Sequence, residues 1–321
     1  MIRIKKASTQ IATLLACLIV NLPAQTVVHQ GKTRLSSDFA GSRVPVWTNG
    51  VLTLVEKNDT TTPVIHLFDE TGIELSPMAF SIPDANATRV ERLARGNDGA
   101  YAVVGSSFDQ AGHGGGFVAW ISPDRRVVKI VRPYPYVPNL VTIAADGTIW
   151  TQGAEMVNGV ENHPDVNRNH GVIRHFDTNG EQIGEFLPRT SLFDGKWMGL
   201  PQGMLASNGD RLGWYARVAK QYFEMTFDGK VTNYGGVVPT NSKQIPATLV
   251  ITDSGEAVVS LLANDYSTAL YRLDRAAGRW LPLDLPGPDE NKPRLLLLGG
   301  DGNRLVFGDG SADLQRYTIN K

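Results

Sequence analysis

The sequence predicts an all-β fold: a six-bladed β-propeller of four-stranded antiparallel blades, its ring closed by an N-terminal strand. Three observations lead there. A small-residue pair ending in glycine recurs at Asn49-Gly50, Asp98-Gly99, Asp146-Gly147, Asn208-Gly209, Ser254-Gly255 and Asp301-Gly302. The glycine-to-glycine steps are 49, 48, 62, 46 and 47 residues, and hairpin repeats of roughly 40–50 residues are the period of propeller blades. Each pair stands between two short apolar, β-prone runs, and Pro and Gly interrupt the chain too often for an amphipathic helix of three turns.

The first element, residues 1–24, reads as a secretory signal peptide. Arg3, Lys5 and Lys6 form a basic n-region, and Ile11 to Val20 is an apolar stretch of ten residues, too short to span a bilayer. Leu22-Pro23-Ala24 ends on a small residue before Gln25, which gives a mature start near Gln25. Cys17 is the only cysteine. Leu14-Leu15-Ala16-Cys17 loosely resembles a bacterial lipobox, but the apolar run continues through Val20. With Cys17 removed, the mature chain has no disulfide, catalytic thiolate or cysteine-ligated zinc. No later stretch approaches the roughly 18–20 apolar residues of a membrane helix. The expectation is an exported protein, periplasmic or extracellular, with residues 25–321 forming a single propeller domain.

The third repeat shows the blade grammar best. Leu140 to Ala144 is a strand, Asp146-Gly147 a two-residue turn of type I′, and Thr148 to Thr151 the return strand. After a long insertion, Val172 to Phe176 and Glu181 to Phe186 are the third and fourth strands, joined by Asp177-Thr178-Asn179-Gly180. Second turns recur at Phe68-Asp69 with Gly72, Phe227-Asp228-Gly229 and Leu273-Asp274 with Gly278, and repeat two carries Ser122-Pro123-Asp124 there. The apolar residue of each pair is expected to be buried between blades while its aspartate bonds the turn backbone. The last repeat is one strand short. Thr26 to His29 supplies a leftover β-prone segment, so ring closure by this strand removes the open edge.

Composition narrows the function classes. The formal net charge is −1, which argues against bulk attraction to nucleic acid or an anionic membrane. Function should sit in the parts that break the repeat, because loops on a rigid scaffold carry it. In a propeller the inter-blade loops and the loops between second and third strands share one face, around the channel mouth.

Three departures stand out. Residues 153–171 hold a dense set of donors, among them Glu155, Glu161, His163, Asp165, Asn167, Asn169 and His170. Asp165, Asn167 and Asn169 alternate like the first ligands of a calcium loop. However, Gly171 comes one place late, and Phe176 stands where the bidentate glutamate belongs. His163 and His170 would suit zinc, and a polar surface loop accounts for the same residues. Second, Asp109 to Gly116 is glycine-rich. His113 to Gly116 superficially resembles the oxyanion loop of some esterases, but no G-x-S-x-G elbow accompanies it, and a flexible glycine loop is expected. Third, counting seven or eight residues back from each first-turn glycine gives Arg43, Arg92, Asn139, Gln202, Thr248 and Arg294. Three arginines from neighbouring blades would make a cationic mouth suited to a carboxylate or phosphate, unless Glu91, Asp38 or similar neighbours neutralise them. The loops around Tyr134, Tyr136, Phe193 and Trp197 add aromatic surface on the same face.

The D-G first turn, with the F-D-x-x-G second turn at Phe68 to Gly72 and Phe176 to Gly180, resembles secreted bacterial six-bladed propellers of the broad NHL and TolB-like type. The resemblance spans residues 26–319. It implies an interaction scaffold in most cases and a metal-dependent lactonase or lyase in a minority. The gluconolactonase branch places acidic and asparagine metal ligands around the channel, where this chain offers arginines and only Asn139. Two functional expectations follow. One is a non-enzymatic exported binding module, with no cofactor, recognising a protein, a peptide or a small anionic ligand at the channel mouth. The other is a metal-dependent hydrolase, lactonase or lyase using calcium or another divalent metal at the 153–171 insertion.

Overall fold

The computed structural model describes residues 26–36, 45–56, 59–157, 159–160, 163–192, 203–237, 243–265, 267–286, 295–309 and 312–320. The signal segment, Arg43, Gln202 and Arg294 lie outside these residues. The chain begins with β1 (Thr26–Arg34). Blade one is β2 (Val46–Thr48), β3 (Val51–Glu56), β4 (Val64–Phe68) and β5 (Glu74–Ala79). Blade two is β6 (Ala87–Arg95), β7 (Tyr101–Phe108), β8 (Gly114–Ile121) and β9 (Val127–Val131). Blade three is β10 (Tyr136–Ile143), β11 (Ile149–Glu155), β12 (Gly171–Phe176) and β13 (Gln182–Pro188), followed by the short helix α1 (Arg189–Leu192). Blade four is β14 (Gly203–Asn208), β15 (Arg211–Ala216), β16 (Gln221–Thr226) and β17 (Val231–Asn233). Blade five is β18 (Ile245–Ile251), β19 (Ala257–Leu262), β20 (Thr268–Asp274) and β21 (Arg279–Leu283). Blade six has β22 (Leu296–Asp301), β23 (Arg304–Gly308) and β24 (Asp313–Asn320).

Six four-stranded antiparallel sheets therefore make the molecule, and β1 completes the sixth by pairing with β24. The innermost strands pack in a closed cycle, β2 beside β6, then β10, β14, β18, β22 and back to β2. Closure is reinforced where blade six meets blade one: Trp47 Nε1 donates to Asp301 Oδ2 at 3.0 Å, and the Arg304 guanidinium grips the Glu70 carboxylate at 3.1 and 3.2 Å.

The core is divided among the seams. Ile65, Leu67 and Phe80 of blade one pack against Val103 and Phe117 of blade two. Trp150 and Ile173 of blade three meet Trp214 and Met225 of blade four. Val258 and Leu270 of blade five meet Phe307 and Tyr317 of blade six. The remaining seams have their own clusters. A blade is apolar on both faces because each face is covered by a neighbour, so burial requires the whole ring. Among the described residues no helix is long and apolar enough to cross a membrane.

The turns differ from the expected I′ type in an instructive way. Asn49 (φ 41°) and Gly50 (φ 79°) are both left-handed, and Thr48 pairs with Val51 across them, as a two-residue I′ turn requires. At Asp146-Gly147 only the glycine has positive φ, 81°. Ala144 N donates to Thr148 O at 2.9 Å, Gly147 N to Ala144 O at 3.0 Å, and Asp146 Oδ1 accepts Thr148 N at 3.0 Å. The loop is thus longer than two residues. The aspartate stays right-handed because its side chain caps the turn, and only the glycine takes the left-handed conformation. The second turns at Phe68 and Phe176 follow the expectation, whereas Phe227 is only partly buried. Phe68 and Phe176 are buried, while Asp69 Oδ1 accepts the Thr71 and Ile73 amides and Asp177 Oδ1 the Glu181 amide.

Only the first part of the glycine-rich stretch of repeat two, Asp109 to His113, is a loop. Gly114, Gly115 and Gly116 pair with Phe108, Ser107 and Ser106 as the start of β8. A Cβ on Gly116 would lie 2.6 Å from Tyr136 O, so the small residue is needed where blades two and three touch.

Candidate functional site

β-Bulges set the wall of the axial channel. β6, β10 and β18 each carry a bulge, at Glu91, Asn139 and Ala247. Each of these residues lies eight places before its turn glycine. The extra residue shifts alternation by one, so the residue after it, not the bulged residue itself, keeps a ladder partner: Arg92 faces Val104, Leu140 faces Gln152 and Thr248 faces Ser260. All three line the channel cavity. In blades two and three the chain opposite the bulge is glycine. A Cβ on Gly105 would lie 1.9 Å from Arg89 O, and one on Gly153 would lie 2.2 Å from Val137 O.

The cavity has a volume of about 400 Å³. Among the described residues its lining includes Arg92, Arg95 and Arg217 but no aspartate, glutamate or lysine. Its hydroxyls are spent on the seams. Thr142 Oγ1 and Ser207 Oγ lie 2.6 Å apart, Ser207 Oγ donates to Ile143 O at 3.0 Å, and Thr248 Oγ1 donates to Leu297 O at 2.7 Å. Arg95 is also engaged: Nη1 donates to Asn49 O at 2.6 Å, and the guanidinium lies 5.9 Å from the Tyr101 ring centre.

Arg92 and Arg217 are different. Arg217 opens the turn between β15 and β16, on the mouth side, and its Nε is buried without a hydrogen-bond partner. Burial disfavours the charge of both guanidiniums. Glu91 offsets this in part for Arg92, and the Arg217 charge adds to the penalty. Glu91 itself lies 4.0 Å from Arg89. The site thus holds two like charges within electrostatic reach, with no carboxylate among the described lining residues.

Of the mouth residues expected from spacing, Arg92 lines the cavity, whereas Asn139 does not and Leu140 takes its place. Arg43, Gln202 and Arg294 are outside the described residues. Spacing did not select Arg217, because it lies in a turn between second and third strands rather than on an innermost strand. The signal that would have found it is a cation on the loop class that faces the mouth.

The described residues of the blade-three insertion do not gather their donors. Among the described residues no three His, Cys, Asp or Glu side chains converge as a metal set. His163 Nδ1 lies 3.4 Å from Asp165 Oδ2, and the Asp165 side chain is 78% exposed. Asn167 Oδ1 accepts the Asn169 amide, and Asn169 Oδ1 accepts the Thr190 hydroxyl. His170 is buried, and both ring nitrogens are committed: Nδ1 donates to Asn167 O at 2.6 Å and Nε2 accepts Glu155 N–H at 3.2 Å. Burial holds its pKa below the ordinary histidine value, consistent with a neutral ring in this role. Glu155 Oε2 also accepts the Asn167 amide at 3.2 Å. The donors that resemble ligands in sequence thus largely hold the insertion to the blade.

No protein-family model matches the chain, and no curated protein matches it. Solved structures do. The WD40 repeats of RRP9 align at a TM-score of 0.50 with 10% identity, over 86% of this chain and 79% of that one. Virginiamycin B lyase from Staphylococcus aureus aligns at 0.49 with 12% identity, over 92% and 100%. A luciferin-regenerating enzyme aligns at 0.49 with 11% identity, over 92% and 97%. These likenesses concern the propeller fold, which hosts both enzymes and binding modules.

Proposed function

We propose that this chain is an exported, non-enzymatic binding propeller of the broad NHL and TolB-like type, which recognises an anionic group at the channel mouth. The observation that carries this reading is the axial cavity, whose described lining has three arginines and no acidic side chain. Guanidinium groups are planar, permanently charged donors suited to carboxylate and phosphate. Their setting in a rigid ring favours recognition of a fixed geometry. The anion could be a free small molecule or an acidic side chain of a protein or peptide partner. The metal-dependent alternative gains no support from the placement of His163, Asp165 and His170.

The test is binding of the full chain to an acidic peptide and to small organic anions, measured at low and high salt. Binding that weakens with ionic strength is expected, since partly exposed charges are screened. Failure to bind either class at low salt would count decisively against the reading. Export is tested separately, by the N-terminal residue of the protein recovered outside the cytoplasm, which should be Gln25.

A further inference from the structure

We propose that Arg92 and Arg217 are the two arms of a site for a small organic oxyanion that carries an apolar body. This rests on the channel-mouth reading above and names the ligand class for it.

Arg92 comes from the innermost strand of blade two and Arg217 from a turn of blade four. Blade three separates them around the ring, and both line the axial cavity. Both lose solvent, Arg92 also feels the Arg217 charge, and Arg217 Nε has no partner. Two half-buried cations whose one nearby carboxylate, Glu91, offsets the cost of burial only in part destabilise a fold unless something else requires them. Much of the rest of the wall resolves its polar groups: Thr142 with Ser207, Thr248 with Leu297 O, and Arg95 Nη1 with Asn49 O, although Arg95 Nε is also buried without a partner.

The shape of the volume selects the ligand. A cavity of about 400 Å³ lies within the range of small-molecule sites, which is about 300–1,000 Å³. Its wall also includes Leu140, Met204, Leu262 and Leu296. An oxyanion head satisfies the two guanidiniums and an apolar body covers the leucine and methionine surface. A macromolecule fits less well, because a volume of about 400 Å³ admits only a small body. The bulge at Glu91 is what turns Arg92 onto the wall, and Gly105 makes room for that bulge.

The experiment titrates phenyl phosphate, inorganic phosphate and phenol into the full-length chain, and repeats it with Arg92→Gln, Arg217→Gln and Arg92→Lys. Phenyl phosphate should bind more tightly than phosphate, and phenol not measurably. Each glutamine variant should lose about 10- to 100-fold in affinity, as expected for a charge-assisted hydrogen bond. Arg92→Lys should keep part of the affinity. Without ligand, the glutamine variants should unfold at an unchanged or higher temperature, because a repulsion is relieved; a clear fall would mark the arginines as structural and overturn the proposal. Equal binding of phenyl phosphate by wild type and both glutamine variants would overturn it while leaving an anion-binding propeller. No binding of phenyl phosphate, with an acidic peptide still bound, would overturn the ligand class alone. Binding of neither would overturn both.

Discussion

Arg174 Nη2 lies 2.7 Å from Glu155 Oε1 inside blade three, with both side chains less than a tenth exposed. The guanidinium also lies 4.2 Å from the centre of the Tyr136 ring, and Nη1 donates to Gln182 Oε1 at 3.2 Å. The pair joins the second strand of the blade to the third. Through Glu155 it also holds the insertion, because the Glu155 carboxylate accepts the Asn167 amide and the Glu155 amide donates to His170.

Breaking this pair from one side should be severe. Glu155→Ala leaves the buried guanidinium only the more distant, partly exposed Glu185 carboxylate, 3.8 Å away, and should cost as much as about 3–5 kcal/mol of unfolding free energy. Replacing both residues with methionine should cost much less, because no charge is then stranded. Chemical denaturation measures both, and amide exchange over 163–170 should accelerate only in the single variant. Equal costs for single and double variants would contradict the account.

Histidines should shape the pH dependence in opposite directions. His66 is held between two carboxylates, with Nδ1 2.6 Å from Glu74 Oε1 and Nε2 2.7 Å from Glu56 Oε2. Burial works against its charge, but the bonds to Glu74 and Glu56 outweigh it and raise the pKa above 6.5. A raised folded value means the stabilisation is complete below the unfolded value and fades as pH rises through the folded one. The advantage of wild type over His66→Gln should therefore be complete below the ordinary histidine value and shrink as the pH rises above it. Its size should be about 1 kcal/mol or less, because Glu56 is 45% exposed.

His175 has the reverse sign. It stacks on Trp150 with ring centres 3.8 Å apart, and burial lowers its pKa. Its stabilisation is complete above the unfolded value and is lost as pH falls through the folded one. His175→Phe should flatten the acid limb of the stability curve. An unchanged acid limb would show that His175 stays uncharged or is solvated in acid.

Gly105 should be intolerant of even a methyl group. The added Cβ would sit 1.9 Å from Arg89 O, so the bulge must flatten or the strands part. Gly105→Ala should cost about 1–3 kcal/mol and also disturb Arg92. Thermal unfolding and anion binding should both fall. A stable variant with intact binding would separate the bulge from the site.

Deleting residues 26–34 should open the ring. β1 pairs along β24 from Thr26–Asn320 to Arg34–Asp313, and Lys32 Nζ lies 2.6 Å from Asp313. Without β1, β24 becomes a bare edge that invites pairing with other copies. Size-exclusion chromatography should show oligomers and the unfolding midpoint should drop. A monomer with an unchanged midpoint would mean that β1 is dispensable.

The repeat length, the glycine turns and the missing last strand were legible in the chain because each is a local requirement. Gly147 needs a left-handed conformation whatever its neighbours do, and Phe68-Asp69 encodes a buried anchor beside a capped turn. The two-residue reading of Asp146-Gly147 did not survive, because side-chain capping by Asp146 competes with the I′ geometry. The site was less legible. A bulge changes which side chain faces the channel by one residue, and no residue type announces it, so Leu140 and not Asn139 reaches the wall. His170 has the chemistry of a ligand, but only packing decides that both its nitrogens serve the backbone. Arg217 lies far from Arg92 in sequence, and the ring brings them together. Turn chemistry acts over a few residues and can be read in one dimension. Which charges face each other across a channel depends on how six sheets close, and that is a property of the assembled ring.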